Sequence, residues 1–158
     1  MAKYSFQNSI DSWDWERVPL DVDAVVFRWA AMLHDRLPWR GMPPDDAFGY
    51  IRAVVSEILN EARHPGNGMR ERRLSAAARA HGEFRRRQQH QCTALSEELA
   101  ALRSAIEASL VQAGQSPGLV RDYLVLLDAD VESARASALV GWNTGLESVS
   151  FRSRLEMD

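Results

Sequence analysis

The sequence predicts an all-α domain, a bundle of about five helices. Three observations carry that reading. Apolar residues recur at helical spacing: Leu95, Leu99, Leu102, Ile106 and Leu110 keep one helix face buried for over four turns. The stretch Met69 to Gly114 holds no proline and only one interior glycine, Gly82, among Ala, Leu, Arg, Glu and Gln, which are strong helix formers. No run of alternating β-branched residues is long enough to form a strand.

Composition sets the outer limits. A chain of 158 residues with 46% hydrophobic content fits one domain that can bury a single core without staples. A net charge of −3 argues against a dedicated nucleic-acid binder. One cysteine, Cys92, allows no intrachain disulfide framework, so a reducing cytoplasm is the expected location. No apolar run is long enough for a membrane span, and Met1 to Ser9 has no apolar leader core.

In chain order, residues 1–20 form an irregular aromatic arm with Trp13 and Trp15, residues 21–145 form the helical domain, and residues 146–158 form a tail or linker. Pro19 sets the entry to a first helix, with Asp21 or Asp23 as its N-cap. That helix runs to about Leu37 and buries Val22, Val25, Val26, Trp29, Met32 and Leu33. Pro38 to Pro44 reads as a loop. The second helix starts near Asp45 or Asp46, whose carboxylates suit its positive end, and stops at His64-Pro65-Gly66. Its inward positions are Phe48, Ile51, Val54, Val55, Ile58 and Leu59.

Met69 to Gly114 follows as one long helical region. A straight helix of that length would span roughly 70 Å, more than such a globule can cover, so a bend is expected at residues 90–94. Thr93 is the candidate cap of the second half, with Ser96-Glu97-Glu98 in its first turn. A last helix covers about Leu119 to Trp142. It buries Val120, Tyr123, Leu124, Leu127, Val131, Ala134, Ala138 and either Leu139 or Val140, and Gly141 and Gly145 weaken its end.

Candidate chemistry is sparse. Glu61 and His64 have a di-metal spacing, but a carboxylate-bridged bundle needs two such pairs, and no Ala31, Ala78 or Arg87 before the other histidines can supply one. His34 and His64 suit helix C-termini instead. His81 and His90 would face opposite ways on a continuous helix, and no haem attachment motif exists. No nucleophile elbow or phosphate-binding glycine loop names a catalytic residue, so no enzyme activity is assigned. No cofactor and no metal site is expected. The arginines 70, 72, 73, 79, 85, 86 and 87 form a basic stretch. It reads mainly as a solvated face paired with Asp122, Asp128, Asp130 and Glu132. As a second reading, Arg85, Arg86 and Arg87 contact a protein partner together with Trp13 and Trp15. Only Phe84 interleaves with these arginines, which disfavours nucleic acid.

The run Ala78 to Gln88 followed by Leu95 to Ile106 resembles the N-terminal sensory domain of RsbR/RsbRD-type stressosome proteins and related bacterial histidine kinases. The matching residues are His81-Gly82, Arg85, Gln88, Leu102-Arg103 and Ile106, and the last helix around Leu127 to Ala134 is similar too. The match spans Arg70 to Trp142. Where that pattern has Gly after the Gln, this chain has Gln89. The resemblance implies a globin-like domain without haem that forms a homodimer and signals through its last helix. The output there is a kinase or anti-sigma-antagonist module on the C-terminal side. It therefore implies a non-catalytic sensor of bacterial signal transduction and stress response. A metal- or haem-binding helical bundle is the alternative reading. The motif residues carry over as structural ones.

Overall fold

The computed structural model describes residues 20–42, 48, 50–63 and 68–155, with side chains omitted at 60–63, 68, 70 and 145–155. Five helices follow one another: α1 Val22–Leu33, α2 Ile51–Arg63, α3 Gly68–Arg87, α4 Cys92–Gln112 and α5 Pro117–Leu155. No strand occurs among the described residues, and the expected all-α class holds. The aromatic arm and the proline-rich segment around Asp45 and Asp46 lie outside the described residues, as does His64-Pro65-Gly66.

Each helix forms where its apolar spacing meets a terminating signal. Asp21 caps α1 by accepting the Asp23 backbone N–H at 3.2 Å. The helix ends at Leu33, earlier than Leu37. Beyond it, Arg36 N–H bonds the Leu33 carbonyl and Trp39 N–H bonds the Arg36 carbonyl, folding residues 34–41 into tight turns. Those turns drive Trp39 into the interior, where it is 4% exposed.

The long central region breaks, as its length requires. α3 stops at Arg87 and α4 starts at Cys92, with Gln91 rather than Thr93 in the capping position. The turn between them is sharp. His90 N–H bonds the Arg85 carbonyl and Gln89 N–H the Arg86 carbonyl, with Gln89 at φ +62°. This is the left-handed helix-end motif that glycine usually serves, here formed by a glutamine. The corresponding turn after α4 uses Gly114 at φ +78°.

α5 is longer than the expected helix and absorbs much of the presumed tail, reaching Leu155. At 1.5 Å per residue its 39 residues extend about 58 Å. The core lies where α5 packs on α3 and α4, with α1 against α4 and α2 against α3. Leu95, Leu99, Leu102, Ile106 and Leu110 all face it and are buried. On α5 it is Leu139 that packs on the core, whereas Val140 is 44% exposed.

Gly141 does not weaken α5. It and Gly82 let α3 and α5 approach at backbone distance. A Cβ on Gly82 would sit 1.9 Å from the Ala138 carbonyl oxygen, and one on Gly141 would sit 2.1 Å from the Arg79 carbonyl oxygen. Ala78, Ala134 and Ala138 line the same crossing, and Ser75 and Ser137 share a hydrogen bond at 3.0 Å beside it. The obstructing atoms are backbone, so a methyl group cannot be absorbed by a rotamer change. Gly82→Ala is therefore expected to lower unfolding free energy by about 1–3 kcal/mol or more in urea denaturation, despite alanine's better helix propensity.

A buried Glu98 network as candidate functional site

Among the described residues, four polar or charged ones are fully or almost fully buried: His81, Arg85, Glu98 and His90. They meet at one end of α3, across the α3–α4 turn and in the first turns of α4. Glu98 occupies the centre. It lies three residues after Leu95 and one before Leu99, so the apolar stripe of α4 points its carboxylate into the core.

Every oxygen of Glu98 is engaged. Its Oε2 lies 2.6 Å from His81 Nε2. Its Oε1 accepts the Trp39 indole N–H and is ion-paired with Arg85 Nε at 2.7 Å. Its backbone carbonyl accepts the Trp29 indole N–H at 2.9 Å. Arg85 reaches further, donating to Gln88 Oε1 at 2.8 Å and lying 3.8 Å from Met42 Sδ. His81 Nδ1 accepts the Tyr50 backbone N–H at 3.3 Å, which leaves the ring proton on Nε2 to be donated to Glu98.

Burial alone would push the Glu98 carboxyl up. The His81 hydrogen bond, the nearby positive charge of Arg85 and the Trp39 N–H together hold it below its ordinary value. His90 goes the other way in charge terms. Burial first, then the Arg85 charge, lowers its affinity for a proton.

The cluster is closed on its central pair. The Glu98 and His81 side chains have no exposed surface, and the ring nitrogens of His81 are both occupied. Among the described residues, no three His, Cys, Asp or Glu side chains are grouped to hold a metal ion.

The structure gathers most of the residues singled out from sequence. His81, Arg85 and Gln88 join the network, Gly82 makes the α3–α5 crossing, and Leu102 and Ile106 line the core. Arg103 does not join them. It lies on the surface, paired with Asp128 at 2.6 Å and with Glu107 at 3.6 Å. The solvated-face reading of the arginines needs correction at two positions. Arg85 is fully buried, because its positive charge neutralises Glu98, and it cannot touch a partner. Arg86 is half-buried and stacks 4.4 Å above the Trp142 ring. Arg72, Arg73, Arg79 and Arg87 are exposed. Asp128 and Glu132 pair with Arg103 and Arg135 rather than with α3. Trp13 and Trp15 lie outside the described residues. His81 and His90 do not diverge as on a continuous helix, since the break at residues 88–91 turns both toward the Glu98 cluster.

Glu98 and Trp39 are the residues that sequence reasoning missed. Glu98 could have been found as the single charge inside the apolar stripe of α4. Trp39 carries no such signal, because its loop position says nothing of its depth.

No family model, curated protein or solved structure matches the chain.

Acid should expose the network. Unfolded Glu98 takes up a proton near its ordinary value of 4.5, and the folded residue does so only at lower pH. Its stabilising contribution is therefore complete above about pH 4.5 and is lost as pH falls through the folded value. Glu98→Gln leaves the Arg85 charge buried without its counter-ion and is expected to cost about 3–5 kcal/mol at neutral pH. Thermal unfolding followed from neutral to acid pH should show that loss, together with a flatter acid limb than wild type.

Proposed function

We propose that this chain is a non-catalytic sensory or regulatory domain of bacterial signal transduction, of globin-like type. In this reading two copies pair and the signal leaves through α5. One observation carries it: the buried Glu98 network is tied directly to the helix that leaves the domain. Trp142 of α5 donates its indole N–H to the His90 carbonyl at 2.9 Å, and Ala138 of α5 presses on Gly82, one residue after His81. A rearrangement at the network must therefore move α5 or break its contacts, and α5 continues past Trp142 to Leu155. The burial of the Glu98 and His81 side chains fits a structural role, and the His81-Gly82, Arg85 and Gln88 pattern fits the stressosome-type resemblance.

Pairing has a surface available. Val111 of α4 and Val125 of α5 are 60% and 52% exposed. They line a groove of about 410 Å³ together with Pro117, Val120 and Leu124. A second groove along the same two helices carries Leu99, Ala100 and Val131. This continuous α4–α5 face would be the seam between copies, with Arg103 and Asp128 crossing its middle.

Sedimentation velocity over a concentration series is the test. Wild type should reach a dimer. Val111→Glu and Val125→Glu, both exposed and so nearly neutral for folding, should weaken pairing at least about tenfold with helix content unchanged. A wild-type protein that stays monomeric at every concentration overturns the dimeric reading.

A further inference from the structure

We infer that His90 is a proton-sensitive latch that holds α5 against the α3–α4 turn and releases it on acidification. The inference rests on the proposed reading of α5 as the output element and names the signal that the same site would answer to.

The geometry buries His90 with one ring nitrogen unsatisfied. Its residue is 5% exposed, and its Nδ1 is buried with no hydrogen-bond partner. A protonated imidazole carries N–H donors at both nitrogens, so protonation would place a charged donor in the interior without an acceptor. The groups around it offer no relief on balance. Arg85 and His81 of α3 face it, and Glu98 of α4, the only anion near it among the described residues, is already shared by Arg85, His81 and Trp39. The turns after α1, and α5 itself, present indoles instead: Trp39 stands edge-on to the His90 ring with centroids 6.2 Å apart, and Trp142 carries Arg86 on its face. Among the described residues, no carboxylate other than that of Glu98 acts on His90.

Opening the turn to water would relieve the buried charge, and the turn holds a residue in a costly conformation. Gln89 sits at φ +62°, a conformation that costs a non-glycine residue about 1–2 kcal/mol. The His90 backbone carbonyl is the acceptor for Trp142, so opening removes the α5 hydrogen bond directly. Burial and Arg85 set the direction. With His90 harder to protonate when folded, the closed latch is undisturbed above the ordinary histidine value of 6.5 and is progressively disfavoured as pH falls below it.

The test uses the full chain, isotope-labelled, with the Trp142 indole N–H and the His90 ring followed by NMR from about pH 7.5 to about pH 5. Trp142→Phe identifies the indole signal. The His90 ring should titrate below 6.5. Indole exchange, corrected for its intrinsic pH dependence, should speed up as pH falls below 6.5, by at least about threefold between pH 7.5 and pH 5. His90→Gln should flatten that response, and His34→Gln, at an exposed histidine, should leave it intact. A His90 that titrates at or above 6.5, or a wild-type Trp142 signal indifferent to pH, overturns the latch even if His90→Gln fails to fold. Sedimentation in the same buffers separates the two ideas. A pH-responsive Trp142 in a strict monomer supports the latch and overturns the dimeric reading, and a pH-indifferent Trp142 in a dimer does the reverse.

Discussion

A carboxylate taken out of water costs several kcal/mol, and a helical core gains nothing from one that is left alone. Glu98 sits in such a core with no exposed surface, and the fold around it is arranged to satisfy it. α3 contributes His81 and Arg85, which are one helical turn apart on the same face. The turns after α1 contribute Trp39, and α1 itself contributes Trp29. Four side chains, from α1, the turns after it and α3, thus converge on one residue of α4. The Coulombic attraction to Arg85 and the directed N–H donors set their mutual register in a way that interchangeable apolar contacts do not.

The rest of the architecture follows from where that network places α3. Because His81 must face Glu98, the next residue, Gly82, faces α5, and only a residue without a side chain fits there. The resulting close crossing aligns α5 so that Trp142 meets the α3–α4 turn. Glu98, the turn at His90 and the long terminal helix are therefore one mechanical unit. Its two faces differ in kind: the polar cluster is sealed, whereas the α4–α5 face leaves Val111 and Val125 in solvent.

Much of this was legible in the sequence, and the reasons differ from element to element. The α4 stripe from Leu95 to Leu110 was readable because spacing alone decides which face is buried, and each of those leucines and Ile106 is in the core. The break in the central region was readable from length, although its cap was not, because Gln91 caps without a side-chain hydrogen bond. His81, Gly82, Arg85 and Gln88 were picked out by pattern, and their roles emerged only in three dimensions. Arg85 illustrates the difficulty. Among neighbouring arginines it is indistinguishable by composition, and only the position of Glu98 on another helix explains its burial. Gly141 was misread for a similar reason, since a glycine that weakens a helix in isolation can be what admits a second helix.

A double-mutant cycle on Arg85 and Glu98 measures the central interaction most directly. Arg85→Met and Glu98→Gln each leave one buried group without its counterpart, whereas the double variant leaves neither charge. If the ion pair organises the core, the double variant will be more stable than the sum of the two losses predicts by about 2–3 kcal/mol in urea denaturation. Losses that add within about 0.5 kcal/mol would show that Arg85 and Glu98 are buried side by side without depending on each other, and would contradict the account.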